Sequence, residues 1–279
     1  MKKLLLIAAA VVIAGAASSC KSEKSEKDTA QDSTLTQTQE TMAAAGQDFA
    51  TKKLKVEMGQ KSRYELEMDY PISGNPKVVD AIRLYLLKQC NTKATDLNDP
   101  IEAIKASAKA FIAEGDQVQA DFANEEYQMP PYSLKMEIDL ECHYPTFITY
   151  EGESYVYTGG AHGMPMEMIA TFDANTGKQL TLDDVILPNG KDKLLKLIQK
   201  HVLAKDEYQS STLSDFDEFT LPAQAPALKP DGVKFQYQAY EICCYAMGMP
   251  DCTIPYAEIQ SLLTDYAKQL IAGIEKGTK

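Results

Sequence analysis

Ser133-Leu134-Lys135-Met136-Glu137-Ile138-Asp139-Leu140-Glu141-Cys142-His143-Tyr144 alternates between two kinds of side chain. Leu134, Met136, Ile138, Leu140 and Cys142 point one way, and Lys135, Glu137, Asp139, Glu141 and His143 the other. A period of two marks a strand with one face on a core. Thr146 to Tyr150 and Tyr155 to Thr158 read as its hairpin partners, joined through Glu151-Gly152-Glu153. Met166 to Phe172 continues as strand, and Asn175-Thr176-Gly177-Lys178 reads as a turn. Antiparallel hairpins of this kind, with helices kept apart from them, predict an α+β fold rather than a doubly wound one.

The flanks fit that reading. Tyr64, Leu66, Met68 and Tyr70 alternate with Arg63, Glu65, Glu67 and Asp69, which predicts a half-exposed strand, with a turn from Pro71 to Gly74. Asn75 followed by Pro76 opens a helix whose apolar face is Val78, Val79, Ile82 and Leu86. Asp99-Pro100-Ile101-Glu102 has the form of a second helix start, with Glu102 placed to close a capping box. Leu194, Leu195, Ile198 and Val202 mark a third helix. Val233, Phe235 and Tyr237 mark a strand after the turn Pro230-Asp231-Gly232. Ile259, Leu262, Leu263, Tyr266 and Leu270 mark a final helix entered through Pro255. No internal repeat is visible.

The first residues predict a compartment. Lys2 and Lys3 precede an apolar run, Leu4 to Ala17, too short to span a bilayer comfortably. Ala17-Ser18-Ser19-Cys20 then has the form of a bacterial lipobox, with Ala17 where leucine is usual. Residues 1–19 read as a lipoprotein signal peptide and Cys20 as the lipidated residue, which places the protein outside the cytoplasm, at the periplasm or cell surface, with the outer membrane favoured. Residues 20–48 read as a disordered tether, polar and nearly free of large apolar groups. Its 27 residues from Lys21 to Gln47 would reach roughly 90 Å extended and about 30 Å as a coil.

Charge narrows the partners. The chain of 279 residues carries 28 Lys and Arg against 40 Asp and Glu, a net charge of −12, and loss of Lys2 and Lys3 with the leader takes this to −14. Nucleic acid is excluded as an expected partner, because phosphate binding needs a basic footprint. An acidic surface favours basic partners.

Two stretches start as strands and break into glycine-rich turns: Tyr155-Val156-Tyr157-Thr158-Gly159-Gly160-Ala161-His162-Gly163 and Tyr240-Glu241-Ile242-Cys243-Cys244-Tyr245-Ala246-Met247-Gly248. With Phe172-Asp173-Ala174-Asn175-Thr176-Gly177-Lys178, Leu180-Thr181-Leu182-Asp183-Asp184 and Thr253-Ile254-Pro255-Tyr256, they resemble, in order and spacing, the C-terminal domain family of the lysozyme-sensing anti-sigma factor RsiV (domain of unknown function 3298). Strand–helix order in the preceding part is similar to the domain at the front of the peptidoglycan deacetylase PdaC (domain of unknown function 4163). The resemblance divides the chain into a PdaC-like α+β domain at 49–152 and an RsiV-like α+β domain at 153–275, two compact subdomains after the tether. It departs from the family at Cys243-Cys244, where Ala-Pro is frequent. It implies an extracytoplasmic recognition module for lysozyme or cell-wall glycan, with Gly159, Gly160, His162, Gly163, Tyr240, Glu241 and Tyr245 as binding residues.

Catalytic signatures are missing from the residues themselves. The histidines are His143, His162 and His201, and no cluster of three or four metal donors accompanies them. No nucleophile elbow, phosphate loop or dinucleotide fingerprint is present, so no catalytic residue, metal or cofactor is assigned. The alternative is a cell-envelope hydrolase or deacetylase with an unrecognised carboxylate site. Asp183-Asp184 resembles the paired aspartates of polysaccharide deacetylases but lacks their histidines and reads as a turn or helix cap. Of Tyr155, Tyr157, Tyr237, Tyr240 and Tyr245, some line a binding face and others are core. Cys90, Cys142, Cys243, Cys244 and Cys252 remain after Cys20, an odd number. Cys252 with Cys243 or Cys244 is the expected disulfide, a short loop worth about 2–3 kcal/mol.

Overall fold

The computed structural model describes residues 48–123, 129–208, 211 and 215–274. Cys20, the leader and the tether, apart from Asp48, lie outside the described residues. The described residues form two sheets, one of five strands in the order β1-β2-β3-β4-β5 and one of three in the order β6-β7-β8.

The large sheet comprises β1 (Ala50–Met58), β2 (Arg63–Ser73), β3 (Ser133–His143), β4 (Phe147–Tyr157) and β5 (Met164–Asp173). Alternation decides its faces as expected. Leu66, Met68, Met136, Ile138, Ile148, Tyr150 and Met168 pack into one core, each worth about 1.5–3 kcal/mol of burial for the larger side chains. Helices α1 (Pro76–Gln89) and α2 (Ile101–Asp121) cover that face, with Val78, Ile82, Leu86, Ile104 and Ala108 directed into it. Asn75 caps α1 by accepting from the Lys77 N–H, and Pro76 occupies its first position. The capping box expected on α2 does not form. Pro100 stands at its N-cap and Glu102 pairs with Lys105 at 2.8 Å instead.

Other expectations are corrected. β1 was not read in the sequence, and β2 pairs with β3 in parallel. β2 also runs on through Pro71 and Ile72 where a turn was expected. The segment 146–158 holds not two strands around a glycine turn but one continuous strand, Phe147–Tyr157. Gly152 stands inside it, opposite Ile138 on one side and Met168 on the other. A Cβ there would lie 2.5 Å from the Glu137 carbonyl oxygen and 2.9 Å from Ile138 Cα. The glycine therefore serves close approach of backbones rather than a turn. The boundary expected at 152/153 falls inside this strand. A register shift between Leu140 and Cys142 turns Cys142 away from its expected face and toward the second core.

That second core gathers the rest of the chain. Its elements are α3 (Leu182–Val185), α4 (Lys191–Leu203), β6 (Ala227–Leu228), β7 (Gly232–Gln236), β8 (Asp251–Pro255), α5 (Tyr256–Ile259) and α6 (Asp265–Ile271). Leu194, Ile198, Val202, Val233, Phe235, Tyr237, Ile254 and Phe147 meet there. The expected single helix after Pro255 is broken: Leu263 is extended and bridges Ile186, and Thr264 caps a new helix by accepting from the Ala267 N–H. The described residues cluster as one compact unit. Consecutive residues of β4 serve both cores, Phe147 the second and Ile148 the first. A buried polar link ties the sheets together. Thr149 Oγ1 lies 2.9 Å from Thr171 Oγ1 and donates to the Leu228 carbonyl at 2.7 Å, while Leu228 N–H donates to Thr171 Oγ1 at 2.9 Å.

Candidate functional site

The two glycine-rich segments come together at the end of β4 and the start of β5, where His162 meets Tyr240, 78 residues further along the chain. The first leaves β4 through Gly159 and Gly160 at φ 102° and 90°. Gly163 N–H then donates to Tyr155 Oη at 3.0 Å. A Cβ on Gly163 would lie 2.4 Å from Tyr155 Cζ, so only glycine admits this contact. The second segment is a loop rather than a strand, and its Tyr240 sits at φ 66°, a left-handed conformation rare for an aromatic residue.

Three rings form the contact. His162 stacks on Tyr245 with centroids 4.0 Å apart and 24° between planes. Tyr240 lies 5.6 Å from Tyr245. His162 Nδ1 is 2.8 Å from the Gly163 carbonyl, and its Nε2 is 3.1 Å from Tyr240 Oη. A carbonyl only accepts, so Nδ1 carries the proton. In the neutral ring Nε2 then accepts from the Tyr240 hydroxyl. Tyr245 Oη donates to the same Gly163 carbonyl at 3.0 Å. Gly163 thus holds the two segments in register.

Glu241 does not face outward with them. Its Oε1 accepts from Ala223 N–H and its Oε2 from Gln238 N–H at 2.8 Å, so both oxygens fasten the loop. Tyr237 is core. Tyr155 is 43 % and Tyr240 51 % exposed, and Met164 and Met166 extend the apolar surface beside them.

Next to this cluster runs a line of acids that the sequence reading did not single out. Glu67, Glu137, Glu153 and Glu167 stand directly opposite one another across β2 to β5. Like charges so placed repel. Lys53 and Lys55 pair with Glu67. Among the described residues no ion pair reaches Glu137, Glu153 or Glu167. A cavity of about 210 Å³ lies over them, walled by Lys135, Tyr155, Pro165, Met166 and Met249. It meets a second of about 510 Å³ at Glu167 and Met249. Burial pushes the Glu167 carboxyl above the ordinary range, against the pull of Lys234 and with Glu153 adding to the rise. The signal available in the sequence was the alternating acids; which of them stand opposite each other depends on strand register.

The remaining candidates serve structure. Thr181 and Asp184 form a capping box on α3, and Asp183 pairs with Lys191 at 2.7 Å. His143 packs against Phe49, and burial lowers its pKa, opposed by Asp48. His201 meets Glu258 at 3.2 Å. The expected disulfide is absent. Cys243, Cys244 and Cys252 are free; Cys243 and Cys252 are buried in the second core, whereas Cys244, adjacent to Cys243, projects to solvent. Among the described residues no group of three His, Cys, Asp or Glu could hold a metal ion, and no helix is long and apolar enough to cross a membrane.

Comparison with known proteins finds two families along the chain. Residues 57–165 match the family model described as deacetylase PdaC, and residues 183–257 match that of a protein of unknown function, DUF3298. No curated protein matches the chain. A crystal structure of a DUF3298 family member from Bacteroides fragilis is 21% identical, with a TM-score of 0.64, over 82% of this chain and 98% of that one. A DUF3298 family protein from Pseudomonas aeruginosa is 20% identical, with a TM-score of 0.51, over 79% of this chain and 96% of that one. These likenesses show a shared fold. The chain is therefore similar to the PdaC family in its first part and to the DUF3298 family in its second, in the order that its motifs lead one to expect.

Proposed function

We propose that this protein is a non-catalytic binding module of the cell envelope, held to the membrane by lipid on Cys20, that captures a cationic extracellular protein of the lysozyme kind. The observation that carries this reading is the line Glu137, Glu153 and Glu167, unpaired beside the exposed Tyr155, Met164 and Met166. Repulsion within such a line is relieved when a cation docks on it, and the apolar rim supplies contact area. Aromatic anchors and charge complementarity are what a protein interface uses for strength and for speed of encounter. The His162, Tyr240 and Tyr245 cluster supports the reading as a rigid edge to that face.

Calorimetric titration of residues 48–279 with lysozyme tests it. Heat of binding is expected at low salt. Association is expected to slow as ionic strength passes about 0.1 M, where the Debye length is about 10 Å. Glu137→Lys with Glu153→Lys is expected to abolish it. Absence of heat at any salt, with the protein shown to be folded, counts against the reading. For the anchor, Cys20→Ser is expected to release the protein from membranes or leave its precursor unprocessed.

One observation favours a hydrolase instead: Glu167, raised by burial and facing Glu153 across β4 and β5, has the form of a general acid beside a second carboxylate. Turnover of peptidoglycan that is lost in Glu167→Gln would support that alternative.

A further inference from the structure

Alternation along β7 sends Val233 and Phe235 into the second core and turns Lys234 and Gln236 to the opposite face of the small sheet. There they line the cavity of about 510 Å³, together with Asp251 of β8, Glu167 of β5, Glu207 of the turn Asp206–Tyr208, and Met247 and Met249. A cavity of that volume has the size of a small-ligand site.

Gln236 is only 3 % exposed, and the fold orients its amide. Nε2 donates to the Tyr237 carbonyl at 2.9 Å and to the Met249 carbonyl at 3.2 Å. Two carbonyl partners fix which amide atom is the nitrogen, so Oε1 is aimed away from them. Among the described residues Oε1 accepts no hydrogen bond, and it is not sealed off from open space. Glu167 is held beside it by its backbone. Glu167 N–H donates to Gln238 Oε1 at 3.1 Å, and Gln238 Nε2 donates to the Glu167 carbonyl at 2.8 Å, so this side chain seals the edge of β5 there. The Glu167 carboxylate makes no ion pair among the described residues. Glu207 has Lys205 only at 4.0 Å. The two lysines near the cavity are engaged elsewhere. Lys234 pairs with Glu151 at 3.2 Å and lies 4.0 Å from Asp251, and Lys205 pairs with Asp251. Met247 and Met249 are half-buried on either side of Gly248, which turns the chain between them at φ 79°.

We propose that this cavity binds a guanidinium group carried on an aliphatic stem, as in an arginine side chain. A guanidinium is planar and weakly hydrated, with donors on several edges. It therefore takes acceptors from separate elements and apolar groups against its faces. Gln236 Oε1, Glu167 and Glu207 supply acceptors from a strand of each sheet and from a turn. The thioethers of Met247 and Met249 supply a soft apolar wall. An ammonium is a compact, strongly hydrated point charge and uses such a spread of acceptors less well. The cavity meets the acidic line at Glu167, but the proposal stands on Gln236, which the lysozyme reading does not use.

The test is an NMR titration of the isotope-labelled full chain with N-acetyl-arginine methylamide and, separately, N-acetyl-lysine methylamide. The arginine compound is expected to bind saturably and to shift the side-chain amide of Gln236. The lysine compound is expected to bind about tenfold more weakly, the worth of one charge-assisted hydrogen bond. Gln236→Leu, shown to be folded by its own spectrum, is expected to abolish binding. Glu207→Gln, at an exposed position, is expected to weaken it about threefold. No saturable binding of the arginine compound, equal affinity for the lysine compound, saturation that leaves the Gln236 amide unmoved, or full affinity in folded Gln236→Leu would overturn the proposal. Lysozyme plays no part in this test, so its failure to bind would count against the other reading alone.

Discussion

The two sheets are built differently. The five-stranded sheet has strands of 9 to 11 residues with clean alternation, backed by two helices of 14 and 21 residues. The three-stranded sheet has strands of 2 to 5 residues, set among the 13-residue α4, helices of 4 to 7 residues, single turns and loops. The large sheet lends a flat charged face and a rigid frame. The smaller part lends the loop that carries Tyr240 and Tyr245 and the side chain of Gln238 that seals β5. The candidate site lies where one meets the other, which is a common arrangement: loops carry the contacts and a regular scaffold positions them.

The largest expected effect asks whether the two parts fold as one. Phe235→Ala empties a fully buried position in the second core and Ile138→Ala one in the first, at a cost of about 3–5 and 2–5 kcal/mol respectively. Because β4 serves both cores, each variant is expected to lower the same single transition in chemical denaturation. An early transition in Phe235→Ala that leaves the large sheet intact would instead divide the protein into two separately folding domains.

Thr149→Val sharpens the link between the sheets. It removes the donor to the Leu228 carbonyl and the partner of Thr171. Loss of a buried hydrogen bond with an acceptor left unpaired costs about 1–3 kcal/mol. Hydrogen exchange is expected to speed up at β6 and β7 more than at β2 and β3; uniform acceleration would show that the link is not local.

Glu167→Gln probes the acidic face, with a sign opposite to the usual one for a carboxylate. Burial raises the Glu167 pKa in the folded state. Folding therefore favours its protonated form, and the charged form works against stability above the ordinary glutamate range. Glu167→Gln is expected to raise the denaturation midpoint at pH 7, with the gain fading as pH falls toward that range. Asp173 behaves in the reverse way. Despite burial, hydrogen bonds from Tyr266 and from the N–H groups of Asn175 and Thr176 hold its pKa low. Its contribution is present at neutral pH and is lost as pH falls through its folded pKa. A midpoint for Glu167→Gln that never exceeds that of the parent would refute the assignment.

The smallest effect is expected at the ring cluster. Tyr240→Phe deletes one exposed hydrogen bond to His162 and should cost no more than about 0.5–1.5 kcal/mol, read from the thermal midpoint. A larger loss would mean that the cluster supports the fold rather than a binding face.

Much of the large sheet was legible because its strands alternate, and alternation records which face is buried whatever the neighbouring strand is. Asn75, Pro76 and the turn at Gly177 were legible because they report local backbone demands. β1 escaped because Leu54 and Val56 are its only fully buried side chains, set among Lys52, Lys53, Lys55 and Glu57. Gly152 misled because a glycine reads the same whether the chain turns there or a neighbouring backbone presses close. The paired positions of Tyr245 and His162 were named in the sequence, yet their contact was not derivable from spacing.

By itself the sequence determined the α+β class, the faces of β2 and of β3 as far as Leu140, the cap of α1, and the acidic balance. Each is a property of a residue and its near neighbours along the chain. Tertiary structure decided the parallel pairing of β2 with β3, the free state of Cys243, Cys244 and Cys252, the inward use of Glu241, and the line Glu67, Glu137, Glu153 and Glu167. Those depend on strand register and on which distant segments meet. Register arises from the packing of a whole sheet on its core, so no local pattern encodes it.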